Sequence, residues 1–320
     1  MQSITRKTTP LRLGITPWHM SSAMDASALC TQAELAEECG YHSFWLPESH
    51  FAGQSSVPEP ILLLAAVAAR TTSIKLGTTS YLLPIRNALQ AAEQVAVLDQ
   101  LSGGRLILGL GRGFERNMLS AFGVNPKEKR ELLERHLDIM KAAWAGETIG
   151  SEAIGAVMSP LPVQKPHPPI WMAAFGPKAL AQAAEMGTPY LASPMESMHQ
   201  LKENYQIYNR VLDAACRPRP SEIAVMRTVF ISDDKSLCEQ ITRDLEQLAG
   251  TLKLGSSTME KSWIVGNAEE VIGKIRQYQE QLGMNYLIVA RPRIKGLSRE
   301  CAEQSMRVLA AVAADLQEAP

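Results

Sequence analysis

A carboxylate, a hydroxyl and an imidazole follow one another at Glu48-Ser49-His50, directly after the apolar run Phe44-Trp45-Leu46-Pro47. Side chains on a strand alternate between two faces, so Phe44, Leu46, Glu48 and His50 are expected on one side and Trp45, Pro47 and Ser49 on the other. Two ionisable groups anchored by two apolar ones suit an acid/base pair, or hydrogen-bonding groups for a bound ring. Capping and ordering a loop is the structural alternative for the same residues. A second cluster, Gly109-Leu110-Gly111-Arg112-Gly113, places exposed backbone N–H groups beside a guanidinium, an arrangement that suits phosphate. It is neither a Rossmann fingerprint, whose third glycine would fall at Phe114, nor a Walker A loop. A third, Phe175-Gly176-Pro177-Lys178, reads as a helix start carrying glycine and lysine, a second phosphate seat or an ordinary helix beginning.

Weaker signals surround these. In Ile74–Pro84 the residues Thr78, Thr79 and Ser80 let a flat ligand approach the backbone, although β-branched threonines also simply suit a strand. Trp18, His19, Arg227, Trp263, Arg291 and Arg293 are expected as pocket walls or surface groups. Met186, Met195 and Met198 are expected as pocket lining or adaptable core. None of the six histidines falls in a His-x-His or His-x-x-x-His spacing, which argues against a metal site.

The elements that must hold these residues alternate along the chain. Apolar strand-like runs occur at Leu11–Pro17, Ser43–Pro47, Ile74–Leu83, Arg105–Gly111, Pro169–Ala174, Pro189–Ser193, Ile223–Ser232 and Tyr286–Ala290. Helical patterns lie near 25–39, 60–71, 87–101, 127–145, 177–186, 196–215, 234–250, 268–282 and 298–316. Eight β/α units predict an α/β fold, a closed (β/α)8 TIM barrel with insertions, formed by residues 1–320 as a single domain. The rival doubly wound sheet wants a Gly-x-Gly-x-x-Gly turn after its first strand, where this chain has Ile15-Thr16-Pro17-Trp18-His19. Barrel chemistry gathers at the C-terminal strand ends, which is where Glu48, Arg112 and Lys178 fall. Gly146–Pro168 and Gly250–Ser262 exceed what a barrel needs, and one of them is expected to act as a lid.

Composition narrows the partners. With 46% hydrophobic and 20% charged residues and a net charge of −1, the chain reads as a soluble globular protein without a field for nucleic acid or anionic membranes. Met1–Pro10 lacks the apolar stretch of a signal peptide, and no apolar run approaches the roughly 18 residues of a membrane span, so a cytoplasmic location is expected. The cysteines, Cys30, Cys39, Cys216, Cys238 and Cys301, form no Cys-x-x-Cys and read as reduced, small, buried residues.

Several motifs in register carry a resemblance. Leu35-Ala36-Glu37-Glu38-Cys39-Gly40-Tyr41, the Trp45–Phe51 segment, Leu76-Gly77-Thr78 with Leu83-Pro84, and Ala92-Glu93-Gln94 through Leu98-Asp99-Gln100-Leu101-Ser102-Gly103-Gly104-Arg105 resemble the bacterial luciferase-like flavin monooxygenases. A weaker likeness continues through Pro166-His167-Pro168-Pro169-Ile170 and Val265–Val271. The resemblance implies a TIM barrel with a flavin at its mouth, and a homodimer packed through helices of the second and third units. It implies a non-prolyl cis peptide at Thr79-Ser80 behind the flavin ring, and phosphate contacts from Arg112 and the Gly176–Lys178 segment. Glu48 and His50 match the acidic residue and second histidine of the family's Glu-His-His-Phe motif. Two departures matter: Ser49 replaces the first histidine, which argues against light emission, and Gly111 stands where luciferases have a reactive cysteine, which is expected to widen the space beside the flavin.

The activity implied is oxidation of a small organic substrate by reduced FMN and O2 through a flavin C4a-peroxide, the flavin coming from a separate NAD(P)H:flavin reductase. Two alternatives stand beside it: a coenzyme F420-dependent oxidoreductase of the same barrel family, and a non-catalytic flavin-binding or stabilising subunit.

Overall fold

Strands β1 (Arg12–Ile15), β2 (Ser43–Leu46), β3 (Lys75–Thr78), β4 (Leu106–Gly111), β5 (Ile170–Ala173), β6 (Tyr190–Leu191), β7 (Ala224–Ile231) and β8 (Tyr286–Ala290) pair in parallel in that order in a computed structural model of the chain. β8 returns to β1 in the register Arg12↔Tyr286 to Ile15↔Val289, so the sheet closes into the eight-stranded TIM barrel that the sequence leads one to expect. The structure describes residues 10–19, 25–53, 56–149, 155–251, 262–292, 294 and 296–317.

Around the barrel run α1 (Ala26–Glu38), α2 (Pro60–Ala68), α3 (Ala88–Leu101), α4 (Arg116–Ala121), α5 (Lys129–Trp144), α6 (Pro177–Glu185), α7 (Met198–Ala214), α8 (Lys235–Thr251), α9 (Ala268–Leu282) and α10 (Arg299–Gln317). Local chemistry starts them. Asp25 and Asn87 cap α1 and α3, Ser197 and Asn267 form capping boxes with Gln200 and Glu270, and Pro60 and Pro177 sit in the first turns of α2 and α6. Nine helices match the sequence reading closely. The six-residue α4 was not anticipated because it is too short to show a helical period. A further strand, Trp263–Gly266, pairs with the C-terminal half of β7. The run Ile74–Leu83 is two strands, because Thr79 and Ser80 separate β3 from a short piece at Tyr81–Leu82 that pairs with β4.

The core has two layers. Phe44 and Leu46 of β2 belong to the large cluster between sheet and helices, while Trp45 lies inside the barrel with Trp171, Ile107 and Tyr286. Trp45 fits there because its neighbours on both sides are glycines: a Cβ on Gly14 or Gly77 would run into its indole. Trp45 Nε1 donates to Ser43 Oγ, which is hydrogen-bonded to the Tyr286 hydroxyl at 2.6 Å, and Tyr286 in turn meets His42 Nδ1 at 2.9 Å. This polar chain sits at the N-terminal end of the barrel, away from the strand ends where chemistry is expected.

The motif Leu98–Arg105 is scaffold. Buried Asp99 accepts from the Gln164 backbone and side chain, and Gln100 donates to the Leu161 carbonyl. Arg105 directs five hydrogen bonds to neutral oxygens: the carbonyls of Ala68, Thr71, Ile74 and Ser102, and the Thr71 hydroxyl. Within the lid candidate Gly146–Pro168, Gln164 reaches the carbonyl of Leu106, the first residue of β4, so this end of the stretch is fastened at the barrel's N-terminal end. Thr148–Ile149 and Ala156–Val157 form an antiparallel pair, and residues 150–154 lie outside the described residues. The other lid candidate, Gly250–Ser262, falls almost wholly outside them.

One further correction concerns the cysteines. Cys30 and Cys238 are buried, but Cys216 and Cys301 are exposed at helix ends rather than packed inside. Among the described residues no helix is long and apolar enough to cross a membrane.

Candidate functional site

Strand β2 delivers Glu48 as expected, but the carboxylate is not free. Glu48 Oε1 accepts from His50 Nε2 at 2.7 Å and from Arg86 Nη1 at 2.7 Å, and Oε2 accepts from the Leu82 backbone N–H at 2.9 Å. The Glu48 side chain is 0% exposed, His50 6% and Arg86 9%. An ionised carboxylate only accepts, so the proton in the Glu48–His50 bond sits on Nε2, and Nδ1 is left for other partners. Arg86 is the residue the sequence reading missed. It joins Glu48 from the start of α3's loop, donates to the Leu82 carbonyl, and lies 3.9 Å over the Tyr81 ring. Tyr81, the carboxylates and the hydrogen bond to Glu48 raise the Arg86 pKa against the opposing effect of burial, which is its largest influence. No local motif marks Arg86; it is found only by following the 38-residue separation that the barrel closes.

Ser49 has a structural place. Its N–H donates to the Val57 carbonyl and its hydroxyl accepts from the Val57 N–H, which closes the loop after β2.

At the end of β3 the Thr79–Ser80 peptide is cis, at the position the resemblance implied. Thr79 Oγ1 is buried and has no hydrogen-bond partner among the described residues. Gly109 and Gly111 on the neighbouring β4 lie against this segment: a Cβ on Gly109 would meet the Thr78 carbonyl, and one on Gly111 would meet the Ser80 side chain. Gly111 therefore does not widen the mouth. The space a cysteine would take there is filled by Ser80.

One residue beyond β4, Arg112 makes no hydrogen bond or ion pair with the described residues. Burial, and then the neighbouring Arg130, pull its guanidinium down from the usual range, with Glu134 working the other way. Lys129 at the start of α5 donates to the Gly113 carbonyl at 2.7 Å, and its ammonium is lowered by burial and then by Arg112 and Arg116. Arg130 beside them is matched by Glu134 and Glu185, but Arg112 without a partner among the described residues and Lys129 held by a carbonyl alone leave two cations that suit an anion. The adjacent strand β5 leads into α6, whose N-cap Gly176 has φ 81° and no side-chain cap. Pro177 has no N–H, and the Ala179 and Leu180 N–H groups bond the Gly176 carbonyl, so among the described residues the Lys178 N–H, beside its own exposed side chain, is the donor left open at this helix start.

Residues 11–253, from β1 through α8, match the sequence profile of the luciferase-like monooxygenases. The chain belongs to this family. It is 24% identical over 285 residues to the oxygenase component of the flavin-dependent trigonelline monooxygenase of Acinetobacter baylyi, covering 77% of this chain and 78% of that one. Among solved structures it superposes on the monooxygenase RslO1 of Streptomyces bottropensis with a TM-score of 0.79 and 25% identity, covering 94% and 98% of the two chains. The FMN complex of the oxygenating constituent of 3,6-diketocamphane monooxygenase from the CAM plasmid of Pseudomonas putida matches in fold with the same TM-score at 19% identity, over 97% and 99%.

Within this luciferase-like frame several expected wall residues have other work. Arg227 is fully buried: it donates to the Tyr278 hydroxyl and to the carbonyls of Ser193 and Glu196, clasping the loop after β6. Trp263 is buried under α8, and Trp18 is buried with its Nε1 unpartnered among the described residues. Met195 is exposed near the mouth, whereas Met186 and Met198 pack against the core. Arg291 follows β8 and is half-buried; Arg293 lies outside the described residues.

Proposed function

We propose that this protein is the oxygenase component of a two-component system, which takes reduced FMN from a separate NAD(P)H:flavin reductase and places one atom of O2 in a small organic substrate. The observation that carries the reading is the pairing of unmatched Arg112 with the uncapped, lysine-bearing start of α6 at neighbouring strand ends. The site chemistry fits a phosphate-bearing flavin: Arg112, Lys129, Gly176 and Lys178 would hold the phosphate. The glycine-lined seam at Thr79-Ser80 and Gly111, with its unpartnered Thr79 hydroxyl, would back the ring. Reduced FMN would supply the two electrons that O2 activation requires. In this reading His50 holds or moves a proton through Nδ1. Glu48, fully buried, fixes the orientation of His50 rather than touching substrate, and Arg86 fixes Glu48.

A homodimer packed through α2 and α3 belongs to the same reading, as the resemblance implied, and each of these helices exposes a leucine, Leu62 and Leu101. The protein is read as acting in the cytoplasm.

Anaerobic titration with reduced FMN, followed by admission of O2 with and without a flavin reductase, tests the proposal. FMN binding and reductase-dependent O2 consumption are expected. Preference for F420 over FMN, or binding without any turnover, would overturn it in favour of a deazaflavin enzyme or a stabilising subunit. Arg112→Ala should weaken FMN by about 10- to 100-fold while leaving riboflavin little changed, because a charge-assisted contact to phosphate contributes roughly 1.5–3 kcal/mol. Equal losses for both ligands would remove Arg112 from the phosphate site.

A further inference from the structure

We propose that Phe51 and Phe122 form a recognition platform for a neutral, flat, aromatic or conjugated ring in the substrate. The inference rests on reading the barrel mouth as the oxygenase site, and it names the substrate class of that site.

Phe51 is held at φ 56°, in the left-handed region that a bulky side chain rarely takes. Cys216 is the other non-glycine at positive φ among the described residues. It directly follows the last residue of α7's cap, where left-handed geometry is ordinary. Phe51 ends no helix. Its ring is 72% exposed, so the conformation is not repaid by burial of the side chain either. A residue kept in a disfavoured conformation with its apolar side chain in water calls for a use outside folding.

The ring is not isolated. It stacks on Phe122 with centroids 5.7 Å apart and planes at 27°, and Phe122 is itself 41% exposed at the end of α4. Phe122 meets the His50 ring edge-on at 4.9 Å. The loop after β2 and the helix after β4 thus bring two phenyl rings together over the one imidazole that Glu48 orients. A ring stacked on this pair would lie beside the proton-handling group.

Charge selects the ligand class. Among the described residues no guanidinium or ammonium lies over either phenyl ring. The carboxylate behind His50 is already matched by Arg86 and the Leu82 N–H. What the pair itself offers a ligand is therefore two apolar ring faces and the edge of His50, with the acid behind it already taken. An uncharged flat ring leaves water at the least cost and gains the stacking.

The test uses FMN-saturated protein with 2-naphthol as probe and cyclohexanol as its saturated comparator, both followed by ligand-observed NMR titration. Wild type is expected to bind 2-naphthol more tightly than cyclohexanol. Phe51→Gly and Phe122→Ala should each weaken 2-naphthol by about tenfold, in line with ring stacking elsewhere, and leave FMN affinity unchanged. Phe51→Gly accepts the positive φ and should leave the loop's fold and the circular dichroism unchanged. Phe51→Leu keeps a bulky apolar side chain without a ring and should lose the probe as well. Unchanged 2-naphthol affinity in the variants, or absence of 2-naphthol binding to wild type, would each overturn the platform. Loss of 2-naphthol in the variants of a protein that binds no FMN would leave the platform standing and remove the flavin reading instead.

Discussion

Replacing Arg86 by methionine keeps most of the buried stem and deletes the charge that faces Glu48. Arg86 Nη1 lies 2.7 Å from Glu48 Oε1 and 2.9 Å from the Leu82 carbonyl, with the second amino group 3.4 Å from Glu59. At an effective dielectric constant of about 20, charges centred about 4 Å apart attract by roughly 4 kcal/mol. Removing one partner of a buried pair, which leaves the other uncompensated, costs about 3–5 kcal/mol. With roughly 2.1 cal/mol/K of unfolding entropy per residue across 320 residues, that loss corresponds to a fall of about 4–8 °C in Tm. Calorimetry or urea unfolding of Arg86→Met, Glu48→Gln and the double variant measures it. Because the double variant carries neither charge, its loss should be smaller than the sum of the two singles by about 2 kcal/mol. Additivity to within about 0.5 kcal/mol would refute the view that Arg86 holds Glu48, and with it the positioning of His50.

Three other expectations concern stability. Glu37 accepts from the backbone N–H groups of Thr72, Ser73 and Ile74 and from the Ser73 hydroxyl. Burial opposes its charge, yet these bonds hold its carboxyl at about 2, so its contribution is complete above about pH 4.5 and is lost as pH falls towards 2. Glu37→Gln should flatten that acid limb and lower stability by about 2 kcal/mol at neutral pH, read by urea unfolding across pH. His42 is pulled down to about 4 by burial and then by Arg12 and Lys75, so the folded state keeps it neutral where the unfolded chain would protonate it. Stability should therefore decline as pH falls from about 6.5 to 4, and His42→Gln should remove that slope. Finally, Gly111→Cys should lower Tm by overpacking against Ser80, at a cost of about 1–3 kcal/mol, and Ser80→Gly in the same chain should recover part of it.

Strand periodicity made the barrel legible, because its eight parallel strands are apolar runs bounded by turn residues and each is followed by a helical pattern. The anchoring of Gln164 was not legible, since it is fastened to Asp99 and Leu106 by bonds between residues about 60 apart in sequence. The Glu48–His50 pair could be seen as a pair, but its environment could not. Alternation correctly separated Trp45 from Phe44 and Leu46, yet it gave no hint that the face shared by Phe44 and Leu46 looks toward the helices, where Glu48 meets Arg86. The motifs that announce the family are partly a poor guide to chemistry: Asp99, Ser102 and Arg105 are the joinery of α3 and β4. The glycine at 111 was read from one strand alone, and the side chain that fills its space comes from the next.

The indoles inside the barrel give the molecule a built-in reporter. Trp45 and Trp171, 5.2 Å apart and both closed off from water, occupy the floor beneath the strand ends. A flavin absorbs in the range where indole emits, so a flavin seated above that floor would quench it by energy transfer. The outer indoles Trp144 and Trp263 lie in the helix layer and supply the less affected background. Occupancy of the mouth is thus readable from the protein's own emission, without a label and without turnover.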